Sequence, residues 1–131
     1  MLLPSPETCG LPFESAVAVP VPREGLILYR LLRGPAPVPG DFEPTWTRPQ
    51  AQLRQIPELF RSSVSHWLSR EQALRHSERE EVYLAQVELR PQPLIRVALT
   101  EQFGEGHVDV WGYPRDLLAA AVDVAHLQRR T

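Results

Sequence analysis

The sequence contains no lysine and no asparagine, so all 14 of its basic residues are arginines. Without lysine the chain cannot form a Schiff base with one of its own side chains, and it cannot build a P-loop, in which a lysine contacts the phosphates. Any anion that this chain binds must therefore be held by arginine, histidine or backbone N–H groups.

Cysteine and long apolar runs are scarce as well. The single Cys9 excludes an internal disulfide and a multi-cysteine metal site. No run approaches the ~18 apolar residues that a membrane helix needs. The first residues lack a basic segment, and Pro4 interrupts their short apolar run, which predicts no signal peptide and hence a cytoplasmic protein.

The net charge of the chain is −2, and its arginines are dispersed among acidic residues. Nucleic acids and membrane surfaces are therefore unexpected partners.

Proline, in contrast, is abundant and unevenly placed. Ten of the 14 prolines lie in residues 1–49. Because proline lacks an N–H and restricts φ, residues 1–24 are predicted to form an extended N-terminal arm, with an edge strand possible at 16–19. Residues 25–131 are predicted to form a single domain. The arm is the expected binding site for a protein partner.

The domain itself shows mostly strand patterns. Strands are predicted over 25–33, 63–68, 81–89, 94–99, 107–111 and 121–127. A capping box at Ser69 predicts a helix of about ten residues over 70–79. Pro114 predicts a short helix over 115–120, and a weaker helical pattern follows a proline-rich loop, over 50–60. The predicted fold class is therefore α+β, with a mostly antiparallel, curved sheet of about five to seven strands, one main helix and one or two short helices.

Two of these strands carry polar groups that could bind a ligand. Tyr29 and Arg30 lie in the most apolar strand, where an unpaired charge is costly. The Arg30 guanidinium suits a phosphate or a carboxylate, or its stem packs in the sheet while its head reaches water. In the following strand, Ser63, Ser65 and Trp67 share one face, which would line either a ligand pocket or an exposed edge.

Two later strands carry candidate acids. Glu88 follows Gln86 on the polar face of its strand, where it could bind a ribose hydroxyl and stabilise an oxocarbenium-like centre, or could simply face solvent. His107, Asp109 and Trp111 share one parity and could form an acid/base and stacking surface, unless the tryptophan packs in the core. Only two metal ligands are evident in this second group, so no metal site is predicted.

In their order along the chain, these pieces resemble the ADP-ribosyltransferase fold. Proteins of that fold carry an arginine on the first core strand, often after an aromatic residue, then a Ser-x-Ser strand, and then a glutamate, often in a Q/E-x-E pair. Segments 28–34, 64–73 and 106–124 also resemble a group of small uncharacterised bacterial proteins that brings no known activity. The residues that match the transferase pattern are Arg30, Ser63, Ser65, Gln86 and Glu88.

The resemblance implies an enzyme that uses NAD as a substrate, such as a bacterial toxin or effector. The partner of the N-terminal arm would then be an antitoxin. The implied catalytic acids are Glu88 and Asp109, with Glu101 and Glu105 as alternatives because the interval from the serines to Glu88 is short for the family. The arginine would hold the NAD phosphates, and the serines would brace the nicotinamide pocket. The residues expected to bind NAD are Arg30, Tyr29, Ser63, Ser65, His107 and Trp111.

Two other functions fit the same sequence. One is a non-catalytic interaction module on a similar scaffold, and the other is a small-molecule or nucleotide-binding protein without turnover. The enzyme predicts that Arg30 and one of the acids converge in a single cleft beside the serines. The interaction module predicts a large apolar surface or an ordered arm on a second chain.

Overall fold

In the computed structural model, which describes residues 18–44, 63–77 and 79–128, seven strands form one open antiparallel sheet in the order β1-β5-β6-β3-β2-β4-β7. The strands are β1 (Val19–Pro20), β2 (Leu26–Leu32), β3 (Val64–Trp67), β4 (Glu81–Leu89), β5 (Arg96–Leu99), β6 (His107–Trp111) and β7 (Ala121–Gln128). The helices are α1 (Arg70–Arg75) and α2 (Pro114–Ala120), with 3-10 turns at Pro39–Phe42 and Glu101–Phe103. The α+β class and the number of strands are confirmed.

Helix α1 begins where the capping pattern predicts and ends earlier than predicted. The Ser69 hydroxyl accepts a hydrogen bond from the backbone N–H of Gln72 at 3.2 Å. The backbone N–H of His76 then bonds to Ala73, three residues back, at 3.1 Å, and this tight turn closes the helix. No helix among the residues that the structure describes is long and apolar enough to cross a membrane.

The end of the predicted arm belongs to the sheet. Val19 pairs with Val97 of β5, and Val21 is only 4% exposed within the core. Apolar side chains at these positions bury surface that an extended, solvated arm would leave in water, and this burial favours docking. Most of the predicted arm, and the helix predicted over 50–60, lie outside the described residues.

The sheet has two faces with different contents, because successive side chains point to opposite sides. The α2 face carries the main core, in which Phe42 and Leu117 of α2 cover apolar residues of the five central strands. The α1 face carries a smaller cluster of Trp67, Ala73 and Leu84. The remaining positions of the α1 face are occupied largely by polar side chains, and these form the candidate site.

Gly25, the residue immediately before β2, has a backbone conformation that other residues avoid. Its φ is +87°, and a Cβ added there would lie 3.1 Å from the carbonyl oxygen of Leu89. Gly25→Ala is therefore expected to lower the free energy of unfolding by about 1–2 kcal/mol. The measurement is denaturant unfolding against Gly34→Ala, where an added Cβ meets nothing within 4 Å. Equal stability of the two variants would contradict the constrained backbone conformation of Gly25.

Candidate functional site

Strands β6, β3 and β2 lie side by side, so the strands that carry most of the candidate residues are neighbours. Ser65 directly opposes Asp109, and Trp67 opposes both His107 on one side and Tyr29 on the other. Directly opposed residues of an antiparallel pair share a face. All five side chains therefore lie on the α1 face, as the alternation of the sequence predicts for the serine and acid strands.

Two neighbouring hydrogen-bonded groups contain these polar side chains. The Ser63 hydroxyl donates to Oδ1 of Asp109 at 2.6 Å. His107 bridges two hydroxyls, with Nε2 at 2.8 Å from Ser65 Oγ and Nδ1 at 2.7 Å from Thr100 Oγ1. The same Nδ1 lies 3.7 Å from Oδ2 of Asp109. Two serines, one threonine, one imidazole and one carboxylate thus lie side by side as the serine–histidine–aspartate cluster.

Burial controls the charges in this cluster. Asp109 has no exposed surface, and burial raises its pKa to about 6, although hydrogen bonds from Ser63 and Thr100 favour the ionised form. Burial also lowers the pKa of His107 to about 4, helped by repulsion from His76 and Arg30. At neutral pH the carboxylate is therefore ionised beside a neutral imidazole, and the two do not form an ion pair.

An aromatic layer covers His107. The Trp67 ring meets the imidazole edge-on, with 4.8 Å between ring centroids, and Phe103 meets it at 5.6 Å. His76 stacks on the outer side of Trp67 at 4.1 Å. Beneath this layer His107 is 4% exposed, whereas Ser65 is 9% exposed. Ser65 is therefore the member of the His107–Ser65 pair that lies nearer to solvent.

Arg30 does not join the cluster, contrary to the expectation that it would share a cleft with an acid beside the serines. Arg30 follows Tyr29 in β2 and pairs with Ala85, so its side chain lies on the α2 face. Ser65 and Asp109 lie on the opposite face. The sequence did not reveal this separation, because it depends on the register between strands that are distant in sequence.

The guanidinium of Arg30 is instead bonded to the backbone of two segments. Nε donates to the carbonyl of Asp41 at 2.9 Å, and Nη1 donates to the carbonyl of Ser65 at 3.0 Å. The buried Asp41 carboxylate in turn accepts the N–H groups of Arg33 and Val38. Burial lowers the pKa of Arg30 to about 10 while Asp41 opposes the shift, so Arg30 stays charged at neutral pH. Arg30 thus holds the Ser65 backbone in place from the α2 face of the sheet.

The other candidate acids lie away from the serines. Strands β4 and β6 are separated by β2 and β3, which puts Glu88 roughly 14 Å from the Asp109 strand. Glu88 accepts a bond from Gln86 at 3.2 Å, Glu101 accepts the N–H of Gly106, and Glu105 pairs with Arg75 at 3.3 Å on the surface. Of the four acids considered, only Asp109 bonds to one of the candidate serines.

Tyr29 and Trp111 flank the cluster on the α1 face. Arg70, the first residue of α1, lies above the Tyr29 ring with its guanidinium carbon 5.8 Å from the ring centroid. Trp111 lies two residues beyond Asp109 in β6, opposite Arg96, and is partly exposed. Both aromatic residues therefore border the polar cluster on the α1 face.

Three buried polar residues in or near the site were not among the candidates predicted from the sequence. Thr100 could have been found, since it continues the parity of β5 after Ala98 and therefore faces the same side as Asp109. Asp41 lies in the proline-rich loop and gave no signal, because its partners depend on how that loop folds. His66 alternates with the serines, and nothing local distinguishes a buried histidine from an exposed one.

Within residues 18–44, 63–77 and 79–128, no three His, Cys, Asp or Glu side chains are grouped so that they could hold a metal ion. The side chains of the serine–histidine–aspartate cluster are a carboxylate, an imidazole and three hydroxyls. Comparison of the chain with protein-family models, with curated proteins and with solved structures found no match.

His66 is a second buried histidine, on the α2 face beside Phe42, with 6.4 Å between ring centroids. Its Nδ1 lies 3.0 Å from the carbonyl of Val64, and its Nε2 has no hydrogen-bond partner among the described residues. Burial, aided by repulsion from Arg30, lowers the pKa of His66 to about 3 from an ordinary value of 6.5. The folded protein therefore keeps this ring neutral at pH values where the unfolded chain protonates it.

This difference predicts how stability depends on pH. As pH falls from about 6.5 towards 3, the unfolded chain binds a proton that folded His66 does not, so His66 lowers the free energy of unfolding by about 1.4 kcal/mol per pH unit. His66→Gln is expected to flatten the stability curve by that slope in denaturant titrations at several pH values. His126→Gln, which changes a half-exposed ring, is the control and should follow the wild type. Parallel curves for wild type and His66→Gln would contradict the neutral buried ring.

Proposed function

We propose that this protein transfers the ADP-ribosyl group of NAD, and that Asp109 is the carboxylate that acts on the ribose. The observation that supports this most is the contact of 2.6 Å between Ser63 and Asp109 on the α1 face, where Ser65 directly opposes the same aspartate. The arginine, serine and acid strands are neighbours in the sheet, although Arg30 itself lies on the opposite face, contrary to what the resemblance implies. Asp109 takes the role for which Glu88 was the first candidate.

The proposed reaction needs a carboxylate of this kind. Breaking the bond between nicotinamide and ribose develops positive charge on the sugar ring, and a nearby carboxylate stabilises that charge. The stabilisation is larger in a buried site, because the surroundings screen charges less than water does. Ser63 holds one oxygen of Asp109 in place, while Oδ2 has no hydrogen-bond partner in the part of the chain that the structure describes. Oδ2 is the atom proposed to face the ribose.

The phosphates of NAD need a different arginine from the one expected. Nε and Nη1 of Arg30 donate to the backbone carbonyls of Asp41 and Ser65 from the α2 face. Arg70 is exposed and lies above Tyr29 on the α1 face. Its planar guanidinium can bind a phosphate in a bidentate manner. Arg70 is therefore proposed to hold the phosphates. Arg30 is proposed to hold the backbone of Ser65 from the α2 face.

The proposal requires the aromatic layer to move. Asp109 has no exposed surface, and His107 beside it is covered by Trp67 and Phe103. A substrate can reach the carboxylate only if these rings shift, as side chains commonly do when a ligand binds. Substrate binding is thus expected to change the environment of Trp67.

One observation favours the interaction module as the alternative function. Strand β7 is an eight-residue edge of the sheet, and Val122 on it is 54% exposed. An exposed edge strand offers unpaired backbone groups with which another strand can pair. A module of this kind would use β7 and would not need the ionised Asp109.

Incubation of the protein with NAD tests the proposed function. Wild type is expected to release nicotinamide, alone or in the presence of a lysate that supplies acceptors. Asp109→Asn removes the charge but keeps an oxygen that accepts from Ser63, so nicotinamide release is expected to fall by about 100-fold or more. Because only the ionised carboxylate stabilises the ribose, wild-type activity is expected to decline as pH falls through about 6.

The matched control is Asp123→Asn, which changes an exposed aspartate of β7 and should leave nicotinamide release unchanged. Arg70→Ala is expected to raise KM for NAD more than it lowers kcat, since it removes a phosphate contact. Absence of nicotinamide release by folded wild type, with and without lysate, would contradict the transferase and favour the interaction module. Equal activity of wild type and Asp109→Asn would contradict the role of Asp109.

A further inference from the structure

The serine–histidine–aspartate cluster contains a feature that glycosyl transfer by Asp109 does not use. Ser65 Oγ lies 2.8 Å from Nε2 of His107, and the other ring nitrogen lies 2.7 Å from Thr100 Oγ1 and 3.7 Å from Asp109 Oδ2. Ser65 is 9% exposed and Asp109 is fully buried. Ser65 and His107 therefore form a hydrogen-bonded pair beside a carboxylate in the interior.

The contacts of Thr100 bear on which ring nitrogen of His107 carries the proton. The Thr100 hydroxyl lies 3.4 Å from the carbonyl of His107, to which it can donate. If its hydrogen is used there, Thr100 Oγ1 is the acceptor for Nδ1–H of His107. A neutral imidazole carries one N–H, which leaves Nε2 as the acceptor for the Ser65 hydroxyl.

This is the arrangement that activates a serine hydroxyl. The base must contact the nucleophile and must itself be oriented by a third group on its other nitrogen. Here Nε2 contacts Ser65, and Thr100 orients the ring through Nδ1. Ser63, in contrast, bonds to the carboxylate rather than to the imidazole. The geometry distinguishes the two serines, which the sequence pattern alone treats alike.

We infer that Ser65 is a nucleophile that attacks the carbonyl carbon of a carboxylic ester. A bond forms between Ser65 Oγ and the carbonyl carbon while the ester C–O bond breaks. The hydroxyl proton passes to Nε2 of His107 and from there to the departing alcohol. Water then attacks the acyl-serine, its proton passes to His107, and the carboxylic acid leaves as Ser65 regains a proton.

This inference does not rest on the use of NAD. It assigns an activity to the hydroxyl of Ser65, whereas the proposed function assigns one to the carboxylate of Asp109. A chain that reacts with ester-type electrophiles but releases no nicotinamide would support the inference and contradict the transferase. Nicotinamide release without any reaction at Ser65 would overturn the inference and leave the transferase standing.

The test uses a small fluorophosphonate, which reacts with activated serines in the way an ester does. Ser65 Oγ bonds to phosphorus, fluoride leaves, and the hydroxyl proton goes to His107. Folded wild type is expected to gain one adduct by intact-mass measurement, and peptide mapping is expected to locate it at Ser65. The same chain unfolded in denaturant is expected to gain none, because the activation depends on the folded cluster.

The variants separate activation from simple exposure. Ser65→Ala and His107→Gln are expected to lose the adduct, whereas Ser77→Ala, which changes a serine outside the cluster, should react like wild type. Thr100→Val is expected to slow labelling by about 10-fold or more, and Thr100→Ser to restore it, if Thr100 acts by orienting His107. No adduct on folded wild type, an adduct at Ser63, or an adduct that persists in Ser65→Ala would overturn the inference. Peptide mapping of wild type decides between these outcomes even if a variant fails to fold.

Discussion

The ionised carboxylate of Asp109, buried in the centre of the sheet, is the constraint on which the rest of the site depends. A buried charge is tolerated only when other groups compensate for the loss of water. Ser63 supplies a hydrogen bond at 2.6 Å, and Thr100 favours the charged form as well. The neutral His107 beside the carboxylate is then held by Thr100 on one side and by Ser65 on the other. Asp109 thus lies beside Ser63 and His107, and His107 in turn bonds to Thr100 and Ser65.

A second buried charge supports this arrangement from the opposite face. Arg30 lies behind β3 and donates to the Ser65 carbonyl and to the carbonyl of Asp41. It therefore links the 3-10 turn that places Phe42 in the core to the strand that carries the serines. Positive charge here also disfavours protonation of His66 and His107. Arg30 thus contributes to keeping both imidazoles neutral.

Much of the fold could be predicted from the sequence, because alternation and turn residues are local properties. The strand at 81–89 and the parity of Ser63 and Ser65 follow from such patterns. The position of Arg30 relative to the acids could not be predicted, since it depends on which strands pair and in which register. The position of Arg30 within an apolar strand predicted an unusual environment, but it did not predict which groups bind the guanidinium. Here the guanidinium bonds to backbone carbonyls.

The same limit applies to the site. Sequence reasoning identified Ser63, Ser65, His107 and Asp109 as candidates, and the pairing of β3 with β6 brings them together. It could not choose between Glu88 and Asp109, because both lie at polar positions of strands. The sheet order separates β4 from β6 by two strands and places only Asp109 beside the serines. Sequence reasoning also missed Thr100, whose role appears only when the end of β5 is placed beside His107.

The proton arrangement around His107 is the central claim, and 15N NMR of the imidazole tests it most directly. The His107 resonances can be assigned by their loss in His107→Gln. At neutral pH we expect a neutral ring with its proton on Nδ1, which stays neutral until the pH falls to about 4. A proton on Nε2, or a ring that is charged at neutral pH, would contradict it.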